Sequence, residues 1–170
     1  EFTDMYFSNG MMTLTGLTDT MGWRLANPKG YAFSALYLEM TAKTSACAGA
    51  DHYGMIVRVP VLQDADQGYL FGVTCDGKYS LRKWDGKTGE KGTLTRIKDW
   101  TASSAIHTGS NQTNRLGLMM TGSRLIMYVN GVLLSEVNDS TYPSGYFGVY
   151  VGPSETDHLA IQVDEMSFWE

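Results

Sequence analysis

The sequence predicts an all-β chain, an antiparallel sandwich of short strands, and three observations carry that prediction. No window places apolar residues at i, i+3, i+4 and i+7 over three turns with a cap at each end, so no helix is expected. Runs rich in Val, Ile, Tyr, Phe and Thr recur between turn signals about every 8–12 residues, the pattern of a sandwich or barrel. The composition agrees: 19 Gly and 12% aromatics against only 18% charged residues suit half-buried pleated surfaces.

In chain order, residues 33–44 alternate as a long strand, followed by 53–59, 69–75 and 78–84. Strands are then expected at 115–120, 124–129, 132–137, 146–151 and 158–168. Asn130-Gly131 joins 124–129 to 132–137, because both residues of a tight hairpin turn must take positive φ. Asp76-Gly77 is expected to do the same as a two-residue turn, so that 75 faces 78, 71 faces 82 and 69 faces 84. Thr121-Gly122 adds a turn, making 114–138 a three-stranded meander. Residues 85–92, rich in Gly and Lys, read as a solvated loop.

A length of 170 residues fits one domain, 1–170, with a sizeable core. The net charge of -5 and the pI near 5.1, without a basic stripe, argue against nucleic acid and anionic membranes as partners. No apolar run approaches the length of a membrane span. The chain opens Glu1-Phe2 without a signal-like segment, which is read as a piece excised from a larger protein, with removal of a targeting part as the alternative. A monomeric domain is expected.

Several runs, taken in order, resemble bacterial extracellular concanavalin A-like (laminin-G-like) jelly-roll domains. They are Tyr53-Gly54-Met55-Ile56-Val57-Arg58, Gly68-Tyr69-Leu70-Phe71-Gly72-Val73, Asp76-Gly77-Lys78-Tyr79-Ser80-Leu81 and Asp99-Trp100. Asn114-Arg115-Leu116, Tyr128-Val129-Asn130-Gly131, Gly145-Tyr146-Phe147-Gly148-Val149 and Val163-Asp164-Glu165-Met166 continue the series. The likeness runs from about residue 33 to the end. It implies two packed antiparallel sheets, one of them concave, on a scaffold that hosts lectins, glycosidases and adhesion modules alike.

Cys47 and Cys75 are the two cysteines. If 53–59 and 69–75 form a hairpin, both thiols lie at the same end of one sheet, where a disulfide can form. Two unrelated buried thiols are the alternative. A disulfide would place the domain outside the cell.

The search for catalytic chemistry finds little. The glucanase pattern Glu-x-Asp-x-x-Glu would put two carboxylates on one strand face. Its nearest approach, Glu155-Thr156-Asp157-His158-Leu159-Ala160, ends in Ala and sits in a loop. Glu39 stands within strand 33–44 facing solvent. His52, His107 and His158 fall in or beside loops and read as surface residues, and no Gly-x-Ser-x-Gly elbow is present. Gly86-Lys87-Thr88 lacks the first glycine of a phosphate loop and a following helix. No cofactor is required. A structural calcium is implied by the resemblance, with Asp4, Asp164, Asp64 and Asp66 as candidate ligands; solvated carboxylates are the alternative.

Sugars present C–H faces to aromatic rings, so aromatics are the signal for a saccharide site. With the two-residue turn, Tyr69, Phe71, Arg82 and Trp84 share one face, while Leu70, Gly72, Tyr79 and Leu81 share the core face. Tyr69, Arg82 and Trp84 are therefore the candidate ligand platform, an aromatic surface with a cation; the alternative is that Phe71 and Trp84 belong to the core, and a bulge at the turn would reverse half of the assignment. Trp23 and Trp100 read as core or loop-anchoring residues, and Met119, Met120 and Met127 as core filler. The expected function is a non-catalytic extracellular binding or adhesion module with a poly- or oligosaccharide partner. The alternatives are a glycoside hydrolase-like enzyme and a structural or protein-interaction module.

Overall fold

A computed structural model describes residues 2–170. The strands are β1 (Thr3–Ser8), β2 (Met11–Gly16), β3 (Gly22–Ala26), β4 (Leu36–Thr44), β5 (His52–Val59), β6 (Gln67–Thr74) and β7 (Lys78–Asp85). β8 (Thr93–Ala102), β9 (Thr113–Thr121), β10 (Arg124–Val129), β11 (Val132–Asn138), β12 (Tyr146–Gly152) and β13 (Ala160–Trp169) complete the chain. They form two antiparallel sheets. The seven-stranded sheet has the order β1-β2-β13-β4-β9-β10-β11 and the six-stranded sheet the order β3-β12-β5-β6-β7-β8.

Alternation decides which side chains enter the space between the sheets. In β4, Leu36, Leu38, Met40 and Ala42 are buried, while Tyr37, Glu39, Thr41 and Lys43 face outward. They meet Tyr53, Met55 and Val57 of β5, and Tyr69, Phe71 and Val73 of β6, in one continuous core. Strands β5, β6 and β12 are buried almost throughout. Their outward side chains are therefore covered too, and Ile56, Leu70 and Tyr150 form a second apolar cluster there.

The meander stands as expected: β9, β10 and β11 pair in succession, with Asn130 and Gly131 at φ 51° and 80° in the turn. Cys47 and Cys75 form a disulfide across a Cα–Cα distance of 5.6 Å. Four strands lie outside the expected set. β1 and β2 are joined by Asn9-Gly10, at φ 52° and 78°, the same turn signal that located the meander hairpin and one the sequence reading passed over. β3 is short, and β8 is a polar, mostly exposed edge strand, so neither carries a strong apolar alternation.

The β6–β7 hairpin corrects the expected register. Leu70 pairs with Arg82, Phe71 with Leu81 and Val73 with Tyr79, one residue away from the pairing of a two-residue turn. The connection is the three-residue loop Cys75-Asp76-Gly77, with Gly77 at φ 91°, a left-handed position that glycine occupies without steric cost. One extra loop residue reverses the facing of a whole strand. Tyr69 and Phe71 therefore point into the core with Leu81, whereas Leu70, Gly72, Arg82 and Trp84 face outward. Met119 is also corrected: it lies on the outer face at 39% exposure, while Met120 and Met127 fill the core. Among the described residues, no helix is long and apolar enough to cross a membrane.

Candidate ligand site on the six-stranded sheet

Tyr69 is excluded from the site by its burial. It is 0% exposed, its hydroxyl donates to Asp139 Oδ1 at 2.5 Å, and it accepts the Tyr142 N–H at 3.1 Å. Lys83 Nζ reaches the other Asp139 oxygen at 3.1 Å. Tyr69 thus anchors the segment between β11 and β12 to the core, and its own phenol is pushed up to about 12 by burial and by the Asp139 carboxylate.

Trp84 does reach a cleft, and its partner there is Trp23. β3 carries Trp23 beside β12, in register with Tyr150, and the two indoles meet edge-on with centroids 6.5 Å apart. Both ring nitrogens are tied to the connection between β5 and β6. Trp23 Nε1 donates to the Ala65 carbonyl at 3.0 Å, and Trp84 Nε1 donates to Asp66 Oδ1 at 3.2 Å. Gly92 lies against the Cη2–Cζ2 edge of Trp84 and Gly86 against the Asp66 carboxylate, at positions where a Cβ would collide. The loop expected to be merely solvated therefore holds the Trp84 ring in place. The cleft encloses about 440 Å³ and is lined by Trp23, Trp84, Asp66, Arg24, Met21 and Phe2, among others. That volume lies within the range of small-ligand sites, about 300–1,000 Å³.

Arg82 is outward-facing but covered. Its guanidinium lies 4.9 Å from the Trp100 ring centroid and 5.7 Å from that of Tyr150, and Nη2 donates to the Tyr150 hydroxyl at 3.0 Å. The aromatic faces take the place of an acidic partner for this charge. His52, expected at the surface, is packed between Trp100 and Tyr150 at centroid distances of 5.5 and 5.9 Å. Its ring fits because Gly152 below has no side chain, and Tyr150 lies across Gly72 for the same reason. His107 and His158 are exposed as expected.

Burial, reinforced by the Arg82 charge, lowers the His52 pKa from 6.5 to about 4. Between those two values the unfolded chain binds a proton that the folded chain refuses, so stability should fall as pH drops through that window. The loss is at most ~3 kcal/mol. Carboxylates titrate mostly below this window, near pH ~4 and under. Urea midpoints measured from pH 7 to 4.5 should show the fall in the wild type and a flatter profile in His52→Gln.

Each candidate calcium ligand has a definite place in the structure. Asp64 pairs with Lys87 at 2.9 Å, while Asp66 accepts from Trp84. Asp4 pairs with Thr15 across β1–β2, and Asp164 sits at a register shift in β13. Among the described residues, no three or more His, Cys, Asp or Glu side chains come together to hold an ion.

No protein-family model matches the sequence, and no curated protein matches it. Solved structures do. A carbohydrate-binding module, CBM66 from Bacillus subtilis, superposes with a TM-score of 0.75 at 19% identity, covering 99% of this chain and 92% of that one. The fold is a concanavalin A-like jelly roll. Enzymes share it: alginate lyase A1-II′ matches with a TM-score of 0.61 at 12% identity, covering 97% and 82% of the two chains. A GH16 protein of the Bacteroides ovatus mixed-linkage glucan PUL, in complex with a G4G4G3G product, matches at 0.58 and 9% identity, covering 99% and 85%. At these identities the concanavalin A-like likeness is one of fold, and function must be argued from the site.

Proposed function

We propose that the protein is a non-catalytic carbohydrate-binding module of an exported protein, and that it takes a saccharide in the Trp23–Trp84 cleft. The observation that carries this reading is the pair of tryptophans. Their N–H groups are held by Ala65 and Asp66, so the rings are fixed before any ligand arrives and lose little freedom on binding. A sugar stacked on Trp84 would find the Asp66 carboxylate beside it as an acceptor for hydroxyls. The outward positions of β5, β6 and β12 carry His52, Gly54, Ile56, Leu70, Gly72, Gly148 and Tyr150, with no carboxylate pair for glycoside hydrolysis. The disulfide supports export.

Titrating a glycan panel against tryptophan fluorescence should give a saturable change in the wild type. Trp84→Ala should weaken binding about tenfold, as loss of a central aromatic anchor does. A flat response in both proteins would remove the reading and favour a structural or protein-interaction module.

A sugar-active enzyme is the second reading, favoured by the gathering of His52, Tyr150 and Arg82. A neutral imidazole beside a phenol can relay a proton. Against it, Tyr150 is fully buried and Trp100 covers Arg82. Release of reducing ends or of unsaturated products from a polysaccharide panel would establish the enzyme.

A further inference from the structure

We propose that the outer face of the seven-stranded sheet carries a second saccharide site, a stacking platform of Trp169, Tyr37 and Tyr128 flanked by Glu39 and Arg115. Tyr37 and Trp169 are direct cross-strand partners in β4 and β13, and their rings lie 5.5 Å apart, tilted by 33°. Tyr128 of β10 meets Tyr37 edge-on at 6.2 Å. Trp169 is 54% exposed, whereas Trp23, Trp84 and Trp100 are each only partly so. The most open indole in the protein thus rests on an aromatic neighbour that orients it.

The platform is built to stay in place. The Tyr37 hydroxyl donates to Glu39 Oε2 at 2.7 Å, and it lies over Gly117, where a Cβ would come within 2.5 Å of it. Burial and the Glu39 carboxylate push the Tyr37 phenol up to about 12, so it remains a donor throughout the working range. Arg115 Nε stands 3.8 Å from Glu39 Oε1, an ion pair too long for a hydrogen bond. Guanidinium and carboxylate therefore keep capacity to bond hydroxyls, one as donor and the other as acceptor.

The chemistry favours a neutral glycan. Arg115 and Glu39 balance each other beside the rings, and the carboxylate that follows along the face, Glu165, accepts from Ser167, so no excess of cations is offered to an acidic ligand. Ser167 and Thr41 continue the face as polar neighbours of Glu39 along the sheet. The platform and the Trp23–Trp84 cleft lie on opposite sheets, so one molecule bridges two polysaccharide chains, and avidity follows from linkage rather than from new contacts.

The test is affinity electrophoresis through gels containing mixed-linkage β-glucan, galactomannan or xylan, with alginate as the acidic control. Wild type, Trp84→Ala, Trp169→Ala and the double variant are compared. Trp169 is an exposed strand-end residue, and its variant should melt within a few degrees of the wild type, which circular dichroism checks. The expected result is that Trp84→Ala and Trp169→Ala each weaken retardation by a neutral polysaccharide about tenfold, and that the double variant migrates freely. Unchanged retardation on loss of Trp169, with strong loss on removal of Trp84, overturns the platform and leaves the cleft standing. The reverse pattern overturns the cleft alone. A concentration-dependent dimer that disappears in Trp169→Ala, seen by sedimentation, makes the face a self-association surface and also overturns the proposal. Free migration of the wild type in every gel overturns both sites.

Discussion

Asp51→Ala should cost the domain about 4 kcal/mol at neutral pH, roughly 1 kcal/mol for each backbone donor left without its acceptor. Asp51 is 0% exposed, yet its carboxylate is fully engaged. Oδ1 accepts the N–H groups of Ser154, Glu155 and Thr156 at 2.8, 2.7 and 3.0 Å, and Oδ2 accepts that of Ala48 at 3.0 Å. The side chain thereby joins the β4–β5 connection to the β12–β13 connection, while its own carbonyl accepts the Cys75 N–H at 2.8 Å. Burial by itself would raise the carboxyl's pKa, but the N–H groups of Glu155, Thr156 and Ala48 outweigh it and hold the value down to about 2. The stabilisation is therefore fully present above the unfolded value near 3.8 and is lost as pH falls through about 2. Urea unfolding should show a lower midpoint with the same slope. Asp51→Asn, which keeps one oxygen but turns an N–H₂ group toward donors, should fall between wild type and Ala. A loss under 1 kcal/mol for Asp51→Ala would contradict the assignment of those N–H groups to this side chain.

Reduction of Cys47–Cys75 should cost about 3.6 kcal/mol by loop-closure entropy, given the sequence separation of 28. The bridge ties the β4–β5 connection to the β6–β7 turn, beside Asp51. The Asp76 N–H also bonds the Gly49 carbonyl across this junction at 2.9 Å. Two ties on the same loop do not act independently, so Asp51→Ala and a Cys47→Ala/Cys75→Ala pair should together cost less than their sum. Chemical denaturation with and without reductant measures the first effect, and the combined variant measures the coupling. Two alkylatable thiols in the native protein, or a midpoint indifferent to reductant, would refute the prediction.

Much of the fold was legible because local rules write it locally. Asn130-Gly131 needs positive φ at both positions, and the structure has it. The alternation of 33–44 sets Leu36, Leu38 and Met40 inward with Tyr37 and Glu39 outward. Polar edge strands were harder to find, since β8 has no apolar face to betray it. The candidate site was legible only in part. Trp84 was singled out and does line the cleft; Arg82 faces the same way but is sealed beneath Trp100; Tyr69 points into the core. The error traces to one residue of turn length at Gly77. Trp23, the partner of Trp84, had no sequence signal linking it to the hairpin, because β12, β5 and β6 stand between their strands in the sheet.

The sequence by itself determined that this is an antiparallel β chain with particular hairpins. Period-two alternation and turn stereochemistry act over a handful of residues, so they can be read without neighbours. Only the tertiary structure decided which face of β6 looks outward, because Tyr69, Phe71 and Val73 on one face and Leu70 on the other are all apolar and alternation cannot rank them. It also decided which rings meet: Trp23 with Trp84, Tyr37 with Trp169 and His52 with Trp100. Those contacts join residues far apart in the chain, and sheet order, not local propensity, brings them together.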